Sequence, residues 1–179
     1  ELRLIDVRGT NPDYRAVVPR GAFDVEHAVA VVEPICAAVA ERGEAALREF
    51  AAKFDGVEPE HLRVPVEELA RCADELDADV RAALVESIRR RRDVAQTEGT
   101  PALVRAEVAP GAVVETKTVP VSRVGLYVPG GLAPLASSVL MNVVPAQVAG
   151  VGSLAVATPP SREHGGLPSP TILALCHLL

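Results

Sequence analysis

Residues 121–151 constrain this chain most, because in one pass they spell a strand, a glycine turn and a helix. Val124 to Val128 is an apolar run short enough for a buried strand. Pro129-Gly130-Gly131 then stops it where the backbone must turn without side-chain bulk. From Ala136 onward, Val139, Leu140, Val143 and Val144 follow helical spacing, and Gly150 stands where a C-terminal cap belongs. A second strand, Ser153 to Ala157, follows at once, and a right-handed crossover makes it the parallel neighbour of the first. This is the skeleton of a nucleotide-binding βαβ unit. The spacing is neither Gly-x-Gly-x-x-Gly nor a phosphate-binding P-loop, so a structural turn and a ligand loop both stay open on spacing alone.

The chain divides near residue 100. Residues 1–100 read as mainly helical, and residues 101–179 as the start of an α/β nucleotide-binding domain. Asp24 is placed to cap a helix carrying Val25, Val29, Val32 and Val39, which Pro34 should kink or split and which should end near Gly43. Glu44 to Phe54 repeats Leu47, Phe50 and Phe54 at helical spacing before Gly56. Val66 to Leu76 reads as a short acidic helix. Asp77 caps a longer one through Val80, Leu84 and Ile88, fraying toward Gly99. Between 102 and 121 the β-branched runs around Val104, Val108, Val113-Val114 and Val119 flank Pro110-Gly111, which predicts an antiparallel hairpin. A loop from Thr158 to Pro170 leads to a last helix that meets Leu179 with no cap, the expected mark of a truncated fold.

A formal charge of −6 argues against nucleic acid or an anionic membrane as partner, since both call for a basic surface. No basic and apolar leader opens the sequence, and no window reaches the ~18 apolar residues of a membrane span, so the cytoplasm is the expected location. Cys36, Cys72 and Cys176 are odd in number and far apart, which predicts three buried small hydrophobes rather than a disulfide framework. Arg89 to Arg92 point around a whole helix circumference and cannot converge on one anion. They read as a solvated or salt-bridged helix end, where the dipole favours positive charge. Glu67-Glu68 and Asp74-Glu75 read as solvent-facing. His27, His61 (beside a short strand), His164 and His177 show no metal-ligand spacing.

The order of words in the central segment adds what spacing does not. Tyr127-Val128-Pro129-Gly130-Gly131, Ala133-Pro134-Leu135, Ser137-Ser138-Val139-Leu140-Met141, Pro145-Ala146 and Ala149-Gly150-Val151 closely resemble the signature segment of the histidinol dehydrogenase family. Asp6-Val7-Arg8-Gly9, Val39-Ala40-Glu41-Arg42-Gly43, Phe54-Asp55-Gly56 and Arg63-Val64-Pro65 resemble other stretches of that family in the same order. Family members run to more than twice this length, so the resemblance implies an N-terminal portion.

It also implies an aldehyde-dehydrogenase-like fold, incomplete here, in which a helical part precedes a Rossmann-like parallel-sheet unit. The implied activity is NAD-dependent oxidation of L-histidinol to L-histidine via histidinal, by a homodimer with zinc. The zinc ligands and the Glu-His acid/base pair would lie beyond Leu179, so no catalytic or metal residue is expected in this chain and the chain alone should be inactive. By the same resemblance Tyr127 matches an NAD-contacting tyrosine, Pro129, Gly130 and Gly131 the cofactor-side loop, and Ser137 a position near substrate, though a serine there also suits a helix start. A related dehydrogenase acting on another small alcohol, and a non-enzymatic nucleotide-binding or oligomerisation module, remain as alternatives.

Overall fold

The computed structural model describes residues 4–17, 25–99, 101–130 and 134–179. Asp24 as a helix cap and Gly131 as a loop glycine fall outside these residues. Close contacts group the chain into two compact units, 1–43 and 44–179.

The first unit contains a single helical turn, α1 (Tyr14–Val17), and the long α2 (Val25–Arg42). Pro34 does not split α2, contrary to one of the two expected outcomes. It removes one intrahelical donor, a loss that the flanking turns of an 18-residue helix tolerate. Gly43 ends α2 with a positive φ of 55°. None of the residues described on α2 is buried, and Cys36 is exposed rather than buried as expected.

The second unit holds the core. Helix α3 (Glu44–Phe50) loosens into a π-helical turn, Ala51–Asp55, that stops at Gly56 with φ 66°. A Cβ on Gly56 would run into the Arg162 guanidinium, whose Nε donates to the Asp55 carbonyl at 3.1 Å. After a loop come α4 (Val66–Asp74) and α5 (Ala78–Glu98). No strand forms near His61, which lies in that loop. Asp77 caps α5 as expected, its carboxylate accepting from the Asp79 and Val80 amides at 2.9 and 3.2 Å.

Strands β1 (Leu103–Ala109) and β2 (Ala112–Lys117) form the expected antiparallel hairpin around Pro110-Gly111, with an irregularity between Glu107 and Ala109. Strand β3 (Arg123–Tyr127) and β4 (Ser153–Ala157) pair in parallel, Arg123 opposite Ser153 through Tyr127 opposite Ala157. Helix α6 (Ala136–Val148) joins them. The chain ends in a 3-10 turn, Arg162–His164, and α7 (Pro170–Leu178).

Alternation decides what the parallel pair buries. Leu126, Leu154 and Val156 turn toward the helices and pack on a core of Ile88, Val128, Val139, Val143, Ile172 and Leu175. Gly125, Tyr127, Ser153, Ala155 and Ala157 leave the opposite, exposed face. A second cluster, Cys72, Ala73, Leu173 and Ala174, joins α4 to α7. The result is a mixed helix and sheet architecture containing a parallel sheet.

Among the described residues no helix is long and apolar enough to cross a membrane.

Candidate functional site at the ends of the parallel strands

Strands β3 and β4 finish side by side. The Val128 amide donates to the Ala157 carbonyl at 2.9 Å, which carries the pairing one residue past the strands. Both chains then bend through proline, at Pro129 and Pro159, two residues beyond the matched pair Tyr127 and Ala157. The two loops abut there. A Cβ on Gly130 would meet Pro159 Cδ at 3.1 Å, so the glycine makes room for the neighbouring loop. Its φ is not positive, and close approach rather than a left-handed turn is what requires it.

Tyr127 is 63 % exposed and its side chain departs from the face opposite α6, while Val128 beside it is fully buried. The neighbours therefore divide the work between solvent and core. Pro129 is exposed. Ser137 is exposed in the first turn of α6 and does not cap it, because the cap position is Leu135 and no side chain bonds the helix start. The helix-start role of Ser137 is thus not realised. Two further residues escaped the sequence reading. Asn142 Nδ2 donates to the Tyr127 carbonyl at 3.4 Å, tying α6 to the end of β3, and its signal was one amide in an otherwise apolar stripe. Pro159 was legible only once the register had placed it opposite Pro129.

The arginine run of α5 and Arg71 of α4 are tied up in pairs. Arg89 Nε and Nη2 reach Glu86 at 2.8 Å, and Arg89 Nη1 reaches Asp93 at 2.7 Å. Arg90 Nε also reaches Glu86 at 2.8 Å, Arg91 reaches Glu98, and Arg92 reaches Gln147. The run is salt-bridged as expected, although α5 continues to Glu98 and the arginines sit before its last turn. Arg71 pairs with both Glu68 and Glu75. Burial pushes the thiols of Cys72 and Cys176 up, so neither is poised as a thiolate. Cys72 is buried and Cys176 half-buried.

An exposed tyrosine and a helix start without a side-chain cap, both at the carboxyl ends of adjacent parallel strands, fit what a dinucleotide requires of an α/β sheet. Zinc is a different matter. Among the described residues no group of three or more His, Cys, Asp or Glu side chains is arranged to hold a metal ion.

The histidinol dehydrogenase family model matches residues 18–179. The chain belongs to the histidinol dehydrogenase family. It is 62% identical over 180 residues to histidinol dehydrogenase of Cutibacterium acnes, covering 99% of this chain and 41% of that protein. It is 55% identical over 186 residues to that of Nocardia farcinica, covering 100% of this chain and 41% of the relative. A crystal structure of histidinol dehydrogenase from Elizabethkingia anophelis superimposes with a TM-score of 0.79 at 25% identity, over 90% of this chain and 36% of that one. The chain thus spans about 40% of the length of the curated relatives it matches. Its family is one of oxidoreductases.

Proposed function

We propose that the chain is the N-terminal portion of an NAD-dependent histidinol dehydrogenase that converts L-histidinol to L-histidine through histidinal. The observation that carries this reading is the juxtaposition of the β3 and β4 ends, with Gly130 seated on Pro159 and the Tyr127 ring open to solvent. NAD, when bound, accepts a hydride in each of the two oxidation steps.

What these residues contribute is binding and orientation. The Tyr127 ring offers a flat face and a hydroxyl to the dinucleotide, and Pro129 with Gly130 fixes the loop beside it. Gly131, outside the described residues, is assigned to the same cofactor-side loop by the family resemblance. The first turn of α6, which no described side chain caps, favours a diphosphate at its amino end, and Ser137 offers an exposed hydroxyl for the substrate. Zinc and the acid/base pair belong to other parts of the complete protein. That protein is a cytoplasmic homodimer of aldehyde-dehydrogenase-like architecture, and the secondary structure changes near residue 100 where its α/β nucleotide-binding part begins.

Tyr127→Ala in the complete protein tests the site. We expect NAD affinity to fall at least tenfold while the thermal midpoint moves little, because an exposed strand-end ring contributes little to the core. A lower midpoint with unchanged NAD affinity would make Tyr127 structural. The 179-residue chain assayed alone with histidinol, NAD and zinc should show no turnover, since half a cleft supplies neither the geometry nor the base. Turnover there would refute the division of labour.

A further inference from the structure

The chain leaving β4 runs into a closed turn. Within residues 161–167 the Ser161 amide donates to the Leu167 carbonyl at 3.0 Å, and the Gly166 amide returns to the Ser161 carbonyl at 2.9 Å. The Ser161 hydroxyl also accepts from the Glu163 amide at 3.2 Å. Leu167 then packs on the cluster of Cys72, Ala73, Leu173 and Ala174, which seats the turn on the core.

This turn is clasped to the segment that follows α3. Gly166 is buried, and a Cβ there would meet Pro59 Cα at 3.4 Å, so turn and segment touch through backbone. Pro59 is buried too, and its carbonyl accepts from Arg48 Nη1 at 2.6 Å. Arg48 is held in turn by Glu44, which anchors the segment on α3. The remaining contact is Arg162. Its Nε donates to the Asp55 carbonyl at 3.1 Å, a charge-assisted bond to the last residue of the π-helical turn, where a cation is favoured. Its guanidinium fills the space that a Cβ on Gly56 would need. Gly56 is therefore required twice, by its φ of 66° and by the group seated on it.

The place of the clasp in the chain gives it a consequence. Pro159, against which Gly130 is seated, lies three residues before Arg162. Pro159-Pro160 fixes two successive φ angles, so little slack separates the latched arginine from the wall of the loop. We propose that Arg162 is a positioning residue for the dinucleotide: latched on the Asp55 carbonyl over Gly56, it holds the exit of β4 so that Pro159 backs the Pro129-Gly130 loop. The proposal rests on the reading that this loop holds NAD. An arginine acting this way touches neither cofactor nor reacting atoms. Losing it weakens NAD in ground and transition states alike, which raises KM for NAD and leaves kcat in place. A direct contact with the cofactor's phosphates is the competing role for an exposed arginine, but here the guanidinium is already spent on Asp55 and Gly56. The two roles part at Gly56.

The test uses the complete protein. Arg162→Ala should raise the NAD dissociation constant, read by calorimetry, and KM for NAD together by about tenfold, with kcat and KM for histidinol within about twofold. Gly56→Ala keeps the arginine but drives it from its seat, and should give the same rise. Gly43→Ala adds similar backbone strain, at φ 55°, with open space at its Cβ, and should leave NAD affinity unchanged. The double variant of Arg162 and Gly56 should be no worse than either single one, since both remove one contact. Lower thermal midpoints with unchanged NAD affinity in both single variants would make the latch purely structural and overturn the proposal. Weak NAD binding in Arg162→Ala with normal binding in Gly56→Ala would assign the arginine to direct cofactor contact and also overturn it. A wild-type protein that binds no NAD would overturn the proposal together with the reading beneath it. A wild-type protein that binds NAD, with both variants weakened as expected, but oxidises no histidinol would sink that reading's substrate and leave Arg162 in its role.

Discussion

Val113-Val114 and Val143-Val144 are the same dipeptide in two different settings. In the β1–β2 hairpin the two valines are 57 % and 52 % exposed, and in α6 they are 5 % and 0 % exposed. Neighbouring residues of a strand point to opposite faces, so both can be buried only if both faces are covered. Neither face of the hairpin is, and every residue of both strands is exposed. Adjacent helix positions lie ~100° apart, and one wide apolar stripe takes in both. On α6 that stripe meets the sheet and the neighbouring helices. Identical side chains therefore hold one region together and leave the other to its backbone ladder and cross-strand pairs.

The same substitution in each region gives the largest expected contrast. Val144→Ala removes fully buried methyl groups and leaves a void, so chemical denaturation of the chain should show a loss of about 2–3 kcal/mol. Val114→Ala should stay within about 0.5 kcal/mol, as surface changes do. A comparable loss at Val114 would mean that the hairpin is covered in solution and would erase the contrast.

Glycine strain should divide along the same line. Gly150 ends α6 at φ 84° and Gly111 turns the hairpin at φ 77°. An alanine at either position meets a left-handed penalty of about 1–2 kcal/mol. At Gly150 the strain falls on the link that feeds β4, and its amide bond to the Gln147 carbonyl at 3.0 Å is part of the cap. Gly150→Ala should lower the global unfolding free energy by that full amount. Gly111→Ala should instead loosen the hairpin locally, seen as lost β1–β2 amide protection with an almost unchanged global midpoint. A global drop for Gly111→Ala would show that hairpin and core unfold as one unit.

These contrasts mark where the sequence was readable. Elements were, because their signals are local: Asp77 as a cap, Gly56 and Gly150 as stops, and Pro110-Gly111 as the hairpin turn. Parallel pairing of β3 and β4 followed from one short crossover helix. Burial was less legible. Cys36 looked like a core residue by type, but α2 finds no cover among the described residues of its unit. The site was legible in part: Tyr127, Pro129 and Gly130 stand together at one strand end, whereas the roles of Pro159 and Asn142 depend on register and helix phase. No local pattern carries either.

The smallest expected effect lies on the outer face of α5, and it tests whether surface charge adds to what the core already secures. Glu86 accepts from Arg89 and then Arg90, and those charge-assisted bonds hold its carboxyl down at about 2, from an ordinary 4.5. The sign follows from the direction. A carboxyl depressed in the folded chain contributes stability that is fully present above its unfolded value and is lost as pH falls from there through the folded one. Glu86 should therefore remain ionised in a carbon-detected titration until about pH 2, and Arg89→Gln should bring it back toward the ordinary carboxylate range. Because the pair lies at the helix surface, with the Glu86 side chain partly exposed, it is screened by solvent and the thermal midpoint at neutral pH should barely move. A wild-type Glu86 that titrates in the ordinary range would show the arginines swinging free in solution. A large midpoint shift for Arg89→Gln would show instead that the charged face of α5 matters to the fold as Val144 does.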